Sequence, residues 1–240
     1  MARLFIPAEQ LTGSRVHLDR AGSRHLLKVL RLQVGADICV FDGRGNEVDA
    51  RIASIGAGGA ELELGARRSV AVPAASITLL QALPRGERMD LIVQKTTELG
   101  VARVIPVLSA RSMVIPPPGK QRRWQTIAQE AARQSGRADV PEIGEAVPLS
   151  SALAEAAPAS TRLVLWEAER TLPMRQALAQ HALGDVTLLV GPEGGLAPDE
   201  VAQARAQGFV SVGLGARILR AETAAIVAVA LTQASAGGLD

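Results

Sequence analysis

The chain has 240 residues, of which 48% are hydrophobic and 21% charged, with a formal net charge of +2. This is the composition of an ordinary globular protein, long enough for one large domain or two small ones. No apolar run approaches the roughly 20 residues that span a bilayer, and the start, MARLFIPAEQL, has no apolar stretch followed by a small-residue cleavage site, so no membrane anchor or secretory leader is expected and the expected location is the cytoplasm. One cysteine, Cys39, excludes an intrachain disulfide, and with three scattered histidines (His17, His25, His181) it offers no metal-ligand spacing, so no metal is expected.

Residues 1 to about 70 are β-rich. SRVHL, DICVFDG, NEVDARIASI and AELELGA are short runs with partial alternation. The glycine-rich DGRGN between two of them predicts a hairpin. Cys39, inside DICVF, is expected to be a small core residue. One helix interrupts, GSRHLLKVLRL, with Leu26, Leu27, Leu30 and the stem of Arg31 at helical spacing and Ser23 as its N-cap. A small closed β-barrel with one short helix suits this pattern. The composition changes at RRSVAVPAAS, which sets the expected boundary between residues 1–72 and 73–240.

From residue 74 onward strands and helices alternate. SITLLQAL, VARVIPVL, TRLVLWE, VTLLVG and FVSVGLG are short apolar strands. Between and after them, GERMDLIVQKTTELG, KQRRWQTIAQEAARQSG, SSALAEAA, PMRQALAQHAL, APDEVAQARAQG and the run after RILR are helices. Met89, Ile92, Val93, Thr96 and Leu99 share one helical face, and Trp124, Ile127, Ala128, Ala131 and Ala132 share another. Strands apolar on both faces and separated by helices predict a mostly parallel α/β sheet.

In such a sheet ligands collect at the carboxyl ends of the strands. Three exits are polar or glycine-rich: LVLWEAE, LLVGPEGGLAPDE and VGLGARILRAET. Gly191, Gly194 and Gly195 allow close backbone approach, and Pro192 stiffens the turn. The pattern is neither a dinucleotide loop nor a phosphate loop. The residues alone leave open whether Glu193 caps, binds a ligand or points to solvent. Lys95 and Glu98 are expected to pair at i, i+3. Trp166 is open between core and ligand neighbour, and His17 and His181 are expected at the surface. Basic residues crowd residues 3–31 and 120–137, a pattern that the residues alone assign first to a solvated charged face and that can also follow phosphates. Aromatic residues are only 2%, with no Tyr, against a base-stacking sheet platform.

LLVGPEGGLAPDEV followed by LGARILRAETAAIVAV resembles the C-terminal signature of the SPOUT class of S-adenosylmethionine-dependent RNA methyltransferases, and more narrowly the RsmE family, which methylates N3 of a uridine in 16S ribosomal RNA. HLLKVLR, RGERMDLIVQKTTELGV, ARSMV and EAARQSGR follow the family order, so the resemblance covers nearly the whole chain. ARSMV departs from many relatives, which carry a polar residue at the position of Ala110. The resemblance implies a PUA-like RNA-binding barrel over residues 1–72, and over residues 73–240 a SPOUT domain with a C-terminal trefoil knot. It also implies a homodimer, with the small ribosomal subunit and its 16S RNA as partner.

The resemblance further implies that S-adenosylmethionine sits among Leu165, Glu167, Gly191, Pro192, Glu193, Gly194, Gly195, Leu214, Gly215, Ile218, Leu219, Thr223 and Ala224. Uracil N3 carries a proton and is a poor nucleophile near neutrality, so either a base removes the proton or a cation stabilises the uridinate. Arg220 and Glu222 are the expected catalytic residues: Arg220 polarises a uracil carbonyl or holds a phosphate while Glu222 orients it. The competing expectation is an Arg220–Glu222 pair that only fixes the loop, or Glu222 stabilising the helix start. Arg3, His25, Lys28, Arg31, Arg111, Arg133 and Arg137 are the expected RNA grip. Methylation of another RNA site, on a ribose or in transfer RNA, and a non-catalytic assembly factor are the alternatives.

Overall fold

The computed structural model describes residues 1–240 apart from 19, 25, 28–29, 71–72, 113–115, 157–160, 182 and 240. The chain forms two compact units, Met1–Val72 with Ala132–Val140, and Pro73–Ala131 with Pro141–Asp240.

The first unit carries β1 (Ala2–Phe5), β2 (Arg15–Leu18), the short helix α1 (Arg20–Arg24), β3 (Asp37–Phe41), β4 (Asn46–Gly56) and β5 (Gly59–Ser69). They make one sheet in the order β1-β3-β4-β5-β2. The expected β3–β4 hairpin is present and antiparallel. In its turn the Asp42 carboxylate accepts from the backbone N–H groups of Arg44 (2.7 Å) and Asn46 (3.0 Å). Strand β1, which the sequence analysis did not identify, pairs parallel with β3. Among the described residues no β1–β2 ladder closes the expected barrel. Inward residues such as Ile6, Leu26, Ile38, Val40, Ile52 and Leu62 form one core, and Cys39 is buried as expected.

Helix α1 starts earlier than expected, and Leu26 and Leu27 beyond it are π-helical, whereas residues 25, 28 and 29 of the expected helix lie outside the described residues. Ser23 is not its N-cap but lies inside it, buried, with its hydroxyl donating to Leu18 O (3.1 Å) and accepting from Ala60 N (2.7 Å). That tie across the sheet wins over capping because the hydroxyl has no water to fall back on.

The second unit holds β6 (Ser76–Ala82), α2 (Arg88–Glu98), β7 (Val101–Leu108), most of α3 (Lys120–Ser135), β8 (Glu142–Ile143), β9 (Val147–Pro148), α4 (Leu149–Glu155), β10 (Thr161–Leu165), α5 (Met174–Ala179), β11 (Asp185–Val190), α6 (Pro198–Ala206), β12 (Val210–Val212) and α7 (Ala221–Ser235). The sheet runs β12-β10-β11-β6-β7-β8, with β9 also beside β7. The pairings are parallel. Its central strands are buried on both faces, as their continuous apolar runs require. The chain order is not the spatial order: β11 inserts between β6 and β10, and β12 crosses back to the edge beyond β10. That reversal opens a crevice at the carboxyl ends of β10, β11 and β12.

Helix α7 packs on α2, α5, β6 and β11. Gln233 near its end donates to Ala75 O (3.1 Å) and Gly100 O (3.0 Å), joining it to the start of β6 and the end of α2. Lys95 and Glu98 pair at 2.9 Å. Trp124 is core, with its indole N–H on Asp90 (2.9 Å).

Candidate active site

The crevice holds a cavity of about 270 Å³, at the lower end of the range for small-molecule sites. Leu165, Trp166, Glu167 and Glu169 line it from the β10 exit, and Val190 to Gly195 from the β11 exit. Val212 to Gly215 and Arg217 to Leu219 line it from the β12 exit, with Ala221 and Ala224 from the first turns of α7. Of the residues expected around a cofactor, Leu165, Glu167, Gly191, Pro192, Glu193, Gly194, Gly195, Leu214, Gly215, Ile218, Leu219 and Ala224 meet here. Thr223 does not: it is exposed on α7, whose cavity face is carried by Ala221 and Ala224.

Gly195 explains the need for glycine at the β11 exit. Its φ is +69°, and a Cβ there would sit 2.1 Å from Glu167 Oε1. Backbone of the glycine loop and the Glu167 carboxylate are therefore in closest approach, a juxtaposition no other residue allows without displacing the acid.

Glu193 is the residue whose role the sequence left open, and the structure gives it a definite one. Its carboxylate pairs with Arg88 and accepts the Arg85 backbone N–H at 2.9 and 3.2 Å. Burial pushes the carboxyl up, but the backbone N–H groups of Glu193 itself and Arg85 together with the Arg88 guanidinium hold it below its ordinary value. The helix-capping role belongs to Glu200, which accepts from Ala197 N (2.8 Å) and from Ala110 N (2.7 Å).

Arg220 is exposed at the N-cap of α7. It forms no ion pair with Glu222 among the described residues, so the expected orienting contact is not made. Glu222 is buried, and its partner is Arg88, with Nε 3.8 Å from Oε1. Glu222 Oε2 is buried without a hydrogen-bond partner. Two residues that the sequence analysis passed over thus matter here: Arg88, and Glu169. The Glu169 carboxyl is held below its ordinary value mainly by the Thr171 hydroxyl and backbone N–H. Trp166 plays both of its expected parts, lining the cavity and packing on the core, with the Arg205 guanidinium 5.4 Å above its ring.

The expected RNA grip is only partly presented. Arg3 is not a free surface cation: it pairs with Glu47, donates to Arg137 O (2.9 Å) and lies 5.2 Å from the Phe41 ring. Arg137 is folded onto Asp139, with Nε 3.1 Å from Oδ1, and its side chain is 10% exposed. Both serve the interior of the first unit, where a buried guanidinium needs a fixed acceptor. Arg133 is half-buried, and Arg31 is exposed. Arg111 is exposed and donates to Gly194 O, which makes it a strut for the glycine loop. His25 and Lys28 lie outside the described residues. Among the described residues no three of His, Cys, Asp and Glu are grouped so as to hold a metal ion.

Residues 72–233 match the RNA methyltransferase domain family, and residues 18–65 match the RNA methyltransferase PUA domain family. The ribosomal RNA small subunit methyltransferase E of Synechocystis is 36% identical over 232 residues, covering 95% of this chain and 76% of that protein. The namesake protein of Mycobacterium tuberculosis is 33% identical, covering 90% and 85%. The chain belongs to the ribosomal RNA small subunit methyltransferase E family. The crystal structure of the Neisseria gonorrhoeae methyltransferase E, bound to S-adenosyl methionine, matches with a TM-score of 0.90 at 35% identity over 98% of this chain and 97% of that one.

The cavity suits that cofactor on its own terms. Ile218 is 82% exposed, a large apolar side chain on the cavity lining that a ligand would cover. The backbone N–H groups of Leu214, Ile218 and Leu219 bond to no other group among the described residues. Such free donors beside apolar walls match a purine with polar edges and apolar faces. The methyltransferase E family assignment and the site's own chemistry therefore agree on S-adenosylmethionine.

Proposed function

We propose that this RNA methyltransferase transfers the methyl group of S-adenosylmethionine to N3 of a uridine in the 16S RNA of the small ribosomal subunit. The observation that carries the reading is the cavity itself, built at three strand exits, with free backbone donors and an exposed isoleucine on the β12 side and Arg220 at its edge. The bound sulfonium supplies an activated methyl group, so the protein's task is alignment and control of the uracil proton. Leu214, Ile218 and Leu219 hold the adenine and ribose through backbone groups, and the glycine loop closes against them. Arg220, exposed beside the cavity, stabilises negative charge on a uracil carbonyl as the N3 proton passes to water.

Residues 1–72 form the RNA-binding module and residues 73–240 the catalytic domain, with the segment through α7 threaded as a trefoil knot. The target base leaves its stack to reach the cavity, and Arg31, Arg111 and Arg133 guide the surrounding phosphates. The protein works in the cytoplasm; among the described residues no helix is long and apolar enough to cross a membrane. It acts as a homodimer, for which Ile226, Val227 and Leu231, half-buried on α7, supply an apolar face.

The test is methyl transfer from labelled S-adenosylmethionine to small subunits lacking the native modification, with nucleoside digestion and mass analysis. Label in 3-methyluridine is expected. Label on a ribose or another base overturns the target, and cofactor binding without any transfer to RNA overturns the reaction.

A further inference from the structure

Two walls of the cavity meet at one cation that neither wall contains. Arg88 opens α2, in the segment that follows the β6 exit. Its Nη1 pairs with Glu193 Oε1 in the glycine loop, and its Nε faces Glu222 Oε1 on the first turn of α7 at 3.8 Å. Arg85, three residues earlier, adds its backbone N–H to the same Glu193 carboxylate. Arg88 itself does not line the cavity, whereas Glu193 does, and Glu222 sits between the lining residues Ala221 and Ala224.

The charge balance is one guanidinium between two carboxylates. Glu222 has no second partner among the described residues: its Oε2 is buried and unbonded, and Oε1 has only Arg88. A buried carboxylate that loses its one cation must turn toward water. That turn moves the start of α7, the element that carries Ala221 and Ala224 against the ligand. Glu193 at the same time loses its side-chain donor and keeps only backbone ones.

We propose that Arg88 is a positioning residue for the cofactor cavity: by bridging Glu193 and Glu222 it fixes the spacing between the glycine loop and the first turn of α7. The inference rests on the reading of this cavity as the S-adenosylmethionine site. The Arg88 and Glu193 side chains are 39% and 27% exposed, so their pair contributes little to global stability, whereas the buried Glu222 depends on Arg88 as its one cation. The effect on binding comes through the site's geometry, where small displacements are costly.

The experiment is titration calorimetry of S-adenosylmethionine onto the unaltered protein and onto Arg88→Ala, Arg88→Lys, Glu193→Gln and the Arg88→Ala/Glu193→Gln double variant, with thermal melting alongside. Arg88→Ala should weaken binding about tenfold and lower the melting temperature, the lysine variant should recover part of both losses, and the double variant should bind no worse than the sum minus one shared contact, well short of additive. Wild-type affinity in Arg88→Ala, or fully additive losses in the double variant, overturns the positioning role. If Arg88→Ala does not fold, the lysine variant and Glu193→Gln decide: wild-type affinity in both also overturns it. An unaltered protein that binds no S-adenosylmethionine overturns the reading of the cavity itself.

Discussion

The loop after β11 is tied down by the protein, whereas the loop after β12 is not. Glu193 is held by Arg88 and the Arg85 backbone, Gly194 O by Arg111, and Gly195 packs on the Glu167 carboxylate. Across residues 214–219 the contacts thin out: none of the six backbone N–H groups has a partner among the described residues, and Ile218 stands in solvent. One wall is set before any ligand arrives, and the other is completed by the ligand. A preset wall gives precision, because its ordering cost is already met in the folded protein. An unsatisfied wall gives affinity, because the ligand supplies the missing bonds.

The largest effect should come from breaking the preset wall. Gly195→Ala places a Cβ against Glu167 Oε1 in a left-handed backbone conformation, which alone costs ~1–2 kcal/mol. Cofactor affinity by calorimetry should fall at least about tenfold; unchanged affinity would show that this wall is as adaptable as the other. Ile218→Ser tests the unsatisfied wall. With 82% of the residue exposed, the melting temperature should not move, while cofactor affinity drops several-fold, roughly the value of a partly buried isoleucine. Equal affinity would mean the ligand does not cover it.

The smallest effect concerns pH. Because the folded Glu193 carboxyl lies below its ordinary value, its stabilisation is complete above the unfolded value of about 4.3. It disappears as pH falls through the lower folded value. Melting curves between neutral and acid pH should therefore converge for the unaltered protein and Glu193→Gln at the acid end. The gap at neutral pH should stay below ~1 kcal/mol, as for a solvent-accessible pair. A constant gap at every pH would detach the loop's anchoring from its charge.

What the sequence disclosed and what it hid divide along the same line. The strand exits were legible because apolar runs and glycine turns are local signals, and a parallel sheet gathers its exits at one edge. Arg88 was hidden because its partners lie 105 and 134 residues away in the chain. The partners of Arg3 and Arg137 were hidden for the mirror reason. A run of basic residues displays its charge in one dimension and conceals the acids folded onto it, here Glu47 and Asp139. Ser23 looked like a helix start because serine caps helices locally, while the backbone it actually serves, Ala60 N, is 37 residues away.

The insertion of β11 beside β6 also governs when the protein becomes competent during synthesis. After β7 is made, β6 keeps one unpaired edge until β11, more than 100 residues beyond β6 in the chain, takes it. The last wall of the cavity follows later still, when α7 docks on β6 and β11 and Gln233 reaches back to Ala75 and Gly100. A nascent chain stopped anywhere before residue 221 lacks that wall, so the cavity is completed only in the last stage of synthesis.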